Sequence, residues 1–143
     1  MIDRALIKCA VFIGMIILIG FVPSSGRGQL PAQNVELVGA AGGHCYSVFV
    51  QGNYAYIGEG YGLRILDISN PDKPVVQGKV LLPDEVRGVY VNGNYAYVGA
   101  AESGFRIIDI TDPTSPYEFG YYDTWWLYVM GVHVSGSYAY VAD

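Results

Sequence analysis

The feature of this sequence that most restricts its fold is an internal repeat with a period of about 42 residues. The segment VFVQGNYAYIG begins at Val48, VYVNGNYAYVG begins 41 residues later at Val89, and VHVSGSYAYVA begins a further 43 residues on at Val132. A second block follows in the same order, GLRILDISNPDKP from Gly62 and GFRIIDITDPTSP from Gly104. Two blocks that recur in one order predict copies of a supersecondary unit that stack on each other.

Each unit is predicted to contain four short antiparallel strands and no helix. The expected strands lie near 47–51, 54–58, 63–68 and 75–81, and again near 89–92, 95–99, 105–110 and 117–122. Asn92-Gly93 predicts a type I′ hairpin turn between the first two strands of the second unit. In the third strand, Leu63 and Ile65 face one way while Leu66 and Ile68 face the other. A strand that is apolar on both faces must be covered on both.

A period of about 40–45 residues with four strands per unit is typical of a β-propeller blade. We therefore predict an all-β chain of four-stranded antiparallel blades. Because propellers have about 4–8 blades, the two and a half blades present here are expected to be an incomplete ring, the N-terminal piece of a longer protein. The expected divisions are a leader at 27–34, an outer strand and inter-blade loop at 35–47, blades at 48–88 and 89–131, and a truncated third blade at 132–143.

The third-strand motifs resemble a known family. Leu63-Arg64-Ile65-Leu66-Asp67 and Phe105-Arg106-Ile107-Ile108-Asp109 are similar to the LVIVD repeat, as are the Tyr-Ala-Tyr strand and the Ile-Ser-Asn-Pro turn with its second proline three residues on. The resemblance covers about residues 48–143. It implies an exported or surface-attached bacterial or archaeal β-propeller, and it carries no information about activity. The family's propellers have several more blades than this chain.

The N-terminus has the three-part layout of a secretory signal peptide. Arg4 and Lys8 precede an apolar run of 14 residues from Cys9 to Val22, which is followed by Pro23 and small residues. The run is shorter than the roughly 20 residues that span a bilayer. We expect residues 1–26 to be a signal peptide cleaved near 26–28, with an uncleaved N-terminal anchor as the alternative. Either reading places the remaining chain outside the cytoplasm, and contact with a membrane is expected only through this segment if it is uncleaved.

Composition and motifs exclude several chemistries. The net charge of −5, from 13 acidic and 8 basic residues, does not fit a nucleic-acid partner. His44, Cys45 and His133 do not have workable zinc-ligand spacing, and no metal or cofactor is expected. Asp67 and Asp109 precede turns and are expected to accept backbone N–H bonds there. Cys45 lacks a neighbouring positive charge in the sequence, so we expect a small buried residue rather than a reactive thiol.

Strand parity indicates where a ligand would bind. The loops between the second and third strands share one face with the inter-blade loops, and this face varies between units. Its candidate ligand-binding residues are Glu59, Tyr61, Arg87, Glu102, Trp125 and Trp126. The loop of the first unit has no aromatic residue at the position of the tryptophan pair. One indole is expected to be exposed for binding and the other buried; the alternative is that the pair only packs between blades.

These observations favour a non-enzymatic, exported or cell-surface propeller that binds a protein or a glycan. Two alternatives stay open. The first is an exported hydrolase or lyase whose catalytic residues lie in further blades, and the second is a structural module of a large surface protein.

Overall fold

The structure is a computed structural model that describes residues 9–12, 16–20, 36–39, 44–124 and 128–143. In these residues every regular element is a β-strand, and every strand pairing is antiparallel. The predicted all-β class is confirmed. The described residues contain no helix that is long and apolar enough to cross a membrane.

The two complete repeat units each form a four-stranded meander. Sheet 1 contains β4 (Cys45–Gln51), β5 (Tyr54–Glu59), β6 (Gly62–Asp67) and β7 (Val75–Leu81), in that spatial order. Sheet 2 contains β8 (Gly88–Asn92), β9 (Tyr95–Gly99), β10 (Phe105–Asp109) and β11 (Tyr117–Tyr122). The third repeat contributes β12 (Gly131–Ser135) and β13 (Tyr138–Ala142), which pair with each other as sheet 3. The strands match the predicted positions to within two residues.

The type I′ turn predicted at Asn92-Gly93 of the second unit is wrong. The two-residue loops are Gly52-Asn53 and Gly93-Asn94, and Gly52 and Gly93 have φ of +59° and +60°. The asparagine that follows each glycine does not have a positive φ. A positive φ at the first central position alone is the type II′ pattern, for which glycine is preferred at that position. The sequence motif that matters is therefore Gly-Asn rather than Asn-Gly.

Both sheets carry a β-bulge at the same place. The register shifts between Ile65 and Leu66 opposite β7, and between Ile107 and Ile108 opposite β11. Gln77 and Phe119 are therefore the unpaired residues of the two outer strands. A bulge that recurs in both units belongs to the repeat itself, because it bends each outer strand in the same way.

The main core lies between sheet 1 and sheet 2. Leu63 and Ile65 pack there against buried residues of sheet 2, while Leu66 lies in a second cluster with Ala55 and Ile57. The predicted burial of the third strand on both faces is confirmed. Each such side chain contributes about 1.5–3 kcal/mol to stability when fully buried. The sheet 2 residues of the main core are Val89, Val91, Ala96, Val98, Ile108 and Ile110.

The first strands of the three sheets lie side by side, as the innermost strands of adjacent blades do. The Val89 amide donates to Ser47 Oγ at 2.9 Å, which joins β8 to β4. The rings of Phe49, Tyr90 and His133 occupy equivalent repeat positions, with successive centroids 4.9 Å and 4.6 Å apart. These ring contacts join β4 to β8 and β8 to β12, so the three sheets stack in chain order.

An N-terminal sheet has the order β1 (Cys9–Phe12), β2 (Ile16–Gly20) and β3 (Glu36–Gly39). Strand β3 falls within the range 35–47 predicted to hold an outer strand and an inter-blade loop, and among the described residues it pairs with β2 rather than with a blade. The signal peptide, its cleavage and the divisions of the chain stay predictions.

Candidate functional site

The loops of the variable face are joined by backbone hydrogen bonds at one end of the sheets, which we call the variable end. The segment 82–87 between sheets 1 and 2 donates from Leu82 N to Tyr61 O and from Val86 N to Gly60 O, both at 2.8 Å. On its other side, Arg87 N donates to Gly99 O at 2.8 Å. This segment therefore fixes the β5–β6 turn relative to sheet 2.

The four candidate residues that the structure describes all lie at this end. Tyr61 is 58% exposed. Glu59 forms an ion pair with Arg64 at 2.5 Å. Glu102 is exposed, and its amide donates to Asp84 Oδ2 at 3.1 Å. Trp125 and Trp126 lie outside the described residues, so their expected exposure and burial stay predictions.

Arg87 is the centre of a cluster that the sequence did not predict in full. Its guanidinium carbon lies 4.0 Å from the centroid of the Tyr46 ring and 5.6 Å from that of Tyr128, and the guanidinium also forms an ion pair with Glu85. Tyr46 and Tyr128 are 47% and 38% exposed. We call Tyr46, Arg87 and Tyr128 the tyrosine–arginine cluster. Cation–π contacts at exposed sites contribute about 0.5–1 kcal/mol each, so they favour this placement of the guanidinium against the two rings.

Tyr46 was missed because no repeat feature marks it. It stands where the register of β4 shifts between Cys45 and Ser47, and a bulge can redirect a side chain toward a functional surface. The only available signal was an aromatic residue close to the start of the first strand.

Cys45 lies beside this cluster and is half-buried. The pKa of its thiol is raised to about 11, chiefly by burial; the nearby Glu59 carboxylate acts in the same direction, and a backbone hydrogen bond at Ser47 acts against it. The thiol donates to Ser47 O at 3.1 Å. A thiol with such a pKa is protonated at neutral pH, so it is a weak nucleophile.

Arg106 forms the second polar cluster that sequence reasoning missed. Its Nη2 lies 2.5 Å from Ser103 O and 3.0 Å from Asp123 Oδ1, and its Nη1 lies 3.6 Å from Glu118 Oε1. The guanidinium carbon also lies 4.7 Å from the Tyr121 ring centroid. Arg106 is 8% exposed, and among the residues that the structure describes it is the one charged residue that is buried. An arginine at the second position of both LVIVD-like motifs was the signal that could have found it.

Asp67 and Asp109 have the structural role that was predicted for them. Their Oδ1 atoms accept the amides of Ser69 and Thr111, each at 2.8 Å. Hydrogen bonds from Ser69 lower the pKa of the Asp67 carboxyl, and the Thr111 amide and hydroxyl lower that of Asp109. Both carboxylates therefore stabilise the turn after the third strand.

A shallow groove of about 460 Å³ lies at the opposite end of the sheets, between the hairpin turns of sheets 1 and 2. Gln51 and Gly93 both line this groove, and Gln51 Nε2 donates to Gly93 O at 2.9 Å. The groove is lined by turn residues that recur in each unit, so it is a cleft between two blades. Among the described residues, no group of three or more His, Cys, Asp or Glu side chains could hold a metal ion.

Four-stranded antiparallel sheets that stack through their first strands and recur at a blade-length period define a β-propeller repeat module. The family comparison agrees with this class. A model described as LVIVD repeat matches residues 42–81, 84–124 and 128–143, which correspond to sheets 1, 2 and 3. The chain belongs to the LVIVD-repeat family. The comparison with curated proteins gave no match.

Proposed function

We propose that this chain is an extracytoplasmic, non-enzymatic propeller module that binds a partner protein through its variable end. The observation that carries the proposal is the tyrosine–arginine cluster, in which two half-exposed rings flank a guanidinium. Tyrosine and arginine are enriched among residues that dominate binding energy at protein interfaces. A tyrosine provides a large contact area with little loss of side-chain freedom, because its side chain has only two χ angles.

The surroundings of the cluster suit an interface. Tyr61 adds a largely exposed ring at the same end, and Glu102 and Asp84 add polar groups around it. The hydrogen bonds of the segment 82–87 on both sides keep these loops in place before a partner binds. A preorganised surface loses less conformational entropy on association. The extracytoplasmic location is part of the proposal and depends on the apolar run at 9–22.

Photo-cross-linking in cells that express the full chain tests this function. A benzoylphenylalanine replaces Tyr61 at the variable end or, as a matched control, Tyr138 on β13, which is 71% exposed. We expect a discrete cross-linked protein with the probe at position 61 and not at 138. The product is expected in the extracytoplasmic fraction of the cells.

The variant Tyr46→Ala sharpens the same experiment. Loss of a hot-spot tyrosine is expected to weaken binding by about 2 kcal/mol or more, so the cross-link at position 61 should nearly disappear while the fold stays intact. Equal cross-linking at positions 61 and 138 contradicts the proposal. Binding of a purified glycan that depends on Tyr46 would assign the variable end to a glycan instead of a protein.

A further inference from the structure

A polar groove lies between two complete four-stranded sheets, at the end of the sheets opposite the variable end. Its volume of about 460 Å³ falls within the range of about 300–1,000 Å³ that small-molecule sites occupy. The hairpin turns of sheets 1 and 2 and the turn that follows β10 line it, and we call it the turn groove. Among the described residues that line it, none has a charged side chain. A ligand in this groove therefore meets neutral groups.

The buried residues that line the turn groove, its floor, include a hydroxyl without a partner. Tyr56 and Ile110 are only 3% and 4% exposed. No hydrogen bond joins the Tyr56 hydroxyl to another residue of the described chain, and its oxygen is not fully enclosed. Burial raises the pKa of this phenol, and the neighbouring Tyr54 acts in the same direction. The hydroxyl therefore keeps its proton at neutral pH, and it lacks the partner that a buried tyrosine usually has.

The exposed residues of the turn groove, its rim, include two free carboxamides. Asn53 and Asn94 are exposed, and within the described chain their side-chain amides form no hydrogen bond. Their main-chain carbonyls, by contrast, accept the amides of Ile68 and Ile110 at 2.8 Å and 2.9 Å. The backbone of each turn is thus held in place, while each side chain keeps two N–H donors and one acceptor oxygen for a ligand.

Gln51 joins the two sides of the turn groove. Its Nε2 donates to Gly93 O at 2.9 Å, so a side chain of sheet 1 bonds directly to the hairpin turn of sheet 2. The Oε1 atom of Gln51 remains an acceptor. The ring of Tyr54, which is partly buried, adds apolar surface beside these groups. The turn groove is therefore formed before a ligand binds, and this lowers the entropic cost of binding.

Neutral donors and acceptors beside an apolar floor fit one class of small molecule. A saccharide has hydroxyls that both donate and accept, which carboxamides and a phenol can match, and C–H groups that pack on tyrosine rings. Phosphate and carboxylate ligands are bound by arginine and lysine, and neither residue type lines the groove among the described residues. The exposed rim consists of amides, glycines and a threonine, without the tryptophan, tyrosine or arginine of a protein hot spot.

We propose that the turn groove is a binding site for a neutral saccharide. The carboxamides of Asn53 and Asn94 bind its hydroxyls from the two sides, and the Tyr56 hydroxyl binds it from the floor. The site is separate from the tyrosine–arginine cluster, so it does not rest on the function proposed for the variable end.

Saturation-transfer NMR with the full chain tests this site. The probes are three neutral trisaccharides, maltotriose, cellotriose and triacetylchitotriose, with trigalacturonate as the anionic comparison. We expect at least one neutral trisaccharide to bind with a dissociation constant of about 1 mM. Trigalacturonate is expected to bind at least about tenfold more weakly, because its carboxylates lose water without gaining a cationic partner.

One pair of variants tests the rim. The double variant Asn53→Ala, Asn94→Ala removes both carboxamides, and it is expected to weaken saccharide binding at least about tenfold through the lost hydrogen bonds. Neither asparagine has a positive φ, so alanine is compatible with both turns. Asn92→Ala removes an exposed carboxamide that does not line the groove and is the matched control. Its binding is expected to equal that of the unmodified chain.

A second pair tests the floor. Tyr56→Phe removes only the hydroxyl and is expected to weaken binding about fivefold, as the loss of one neutral hydrogen bond does. The free energy of unfolding should stay unchanged, because this hydroxyl has no partner in the described chain. Tyr90→Phe removes the hydroxyl of a partly buried tyrosine that does not line the groove, and it is the control.

Several results would overturn the proposal. They are binding of none of the three neutral trisaccharides, equal binding by the double variant and Asn92→Ala, or trigalacturonate bound as tightly as the neutral probes. Loss of saccharide binding in Tyr46→Ala would also overturn it, because the variable end would then be the saccharide site. A discrete protein captured by benzoylphenylalanine at position 53, with no saccharide bound, would assign the groove to a protein. Cross-linking at position 61 is expected to be the same in every groove variant, so this test and that of the variable end fail separately.

Discussion

Sheets 1 and 2 have the same backbone plan and the same motif, yet equivalent residues have different surroundings. Ile65 is 0% exposed because sheet 2 covers it, whereas Ile107, at the same motif position, is only partly buried. Arg64 forms an ion pair with Glu59 of the same sheet. Arg106 is instead buried, and its guanidinium contacts Ser103, Glu118 and Asp123. The repeat thus fixes the path of the chain, and the neighbouring blade decides how much each side chain contributes to stability.

Alanine at the two equivalent isoleucines is expected to give the largest difference between the sheets. Ile65→Ala opens a cavity in the main core and should lower the free energy of unfolding by about 2–5 kcal/mol. Ile107→Ala removes a half-buried side chain and should cost about 1 kcal/mol, the centre of the range for point variants. Chemical denaturation of the full chain measures both. Equal losses would show that Ile107 is as tightly packed as Ile65.

The repeat made the fold readable from the sequence. Period, turn residues and the double-sided apolar pattern of Leu63–Ile68 identified the sheets and their core, because these properties depend on residues near one another in the chain. The turn type was missed because both Asn-Gly and Gly-Asn occur in the VNGNYAY segment, and only the pairing of Asn92 with Tyr95 decides between them.

Less of the candidate site could be predicted from the sequence. Strand parity correctly grouped Glu59, Tyr61, Arg87 and Glu102 at one end of the sheets, since alternate loops of a meander must share an end. The contact of Tyr46 with Arg87 joins residues of two blades, and no local pattern encodes it. Arg106 was missed for a similar reason, because its acidic partners lie on β11 and just beyond it.

Substitution of the two motif arginines, Arg64 and Arg106, is expected to lower the free energy of unfolding by an intermediate amount. Arg106→Met removes charge-assisted hydrogen bonds from a buried guanidinium and is expected to cost about 1.5–3 kcal/mol. Arg64→Met breaks one ion pair whose partners are 26% and 17% exposed in their side chains, and it should cost about 1 kcal/mol or less. Thermal and urea unfolding provide the comparison. The variant Arg106→Lys keeps the charge without the planar fork and should fall between Arg106→Met and the unmodified chain. If Arg64→Met proves less stable than Arg106→Met, the conclusion that Arg106 stabilises the fold more than Arg64 is wrong.

The smallest expected difference concerns the turn aspartates and their pH dependence. Both carboxyls have a pKa lowered by hydrogen bonds in the folded state. A lowered folded pKa stabilises the fold above the carboxyl's unfolded pKa, about 3.9, and this contribution is lost as the pH falls through the folded value. Asp67→Asn and Asp109→Asn keep an acceptor oxygen but cannot ionise, so their stability deficit relative to the unmodified chain should shrink below about pH 4.

Asp109 differs from Asp67 in one partner, which makes the pair informative. Tyr117 Oη donates to Asp109 Oδ2 at 3.2 Å, and this hydrogen bond raises the pKa of the Tyr117 phenol. A raised folded pKa stabilises the fold below the phenol's unfolded pKa, about 10, and the contribution is lost as the pH rises through the folded value. Asp109→Asn should therefore reduce the loss of stability above about pH 10, whereas Asp67→Asn should not. Urea unfolding at a series of acid and alkaline pH values measures the pH dependence of the free energy of unfolding. If the two variants lose the same stability above about pH 10, the Tyr117–Asp109 contact makes no contribution.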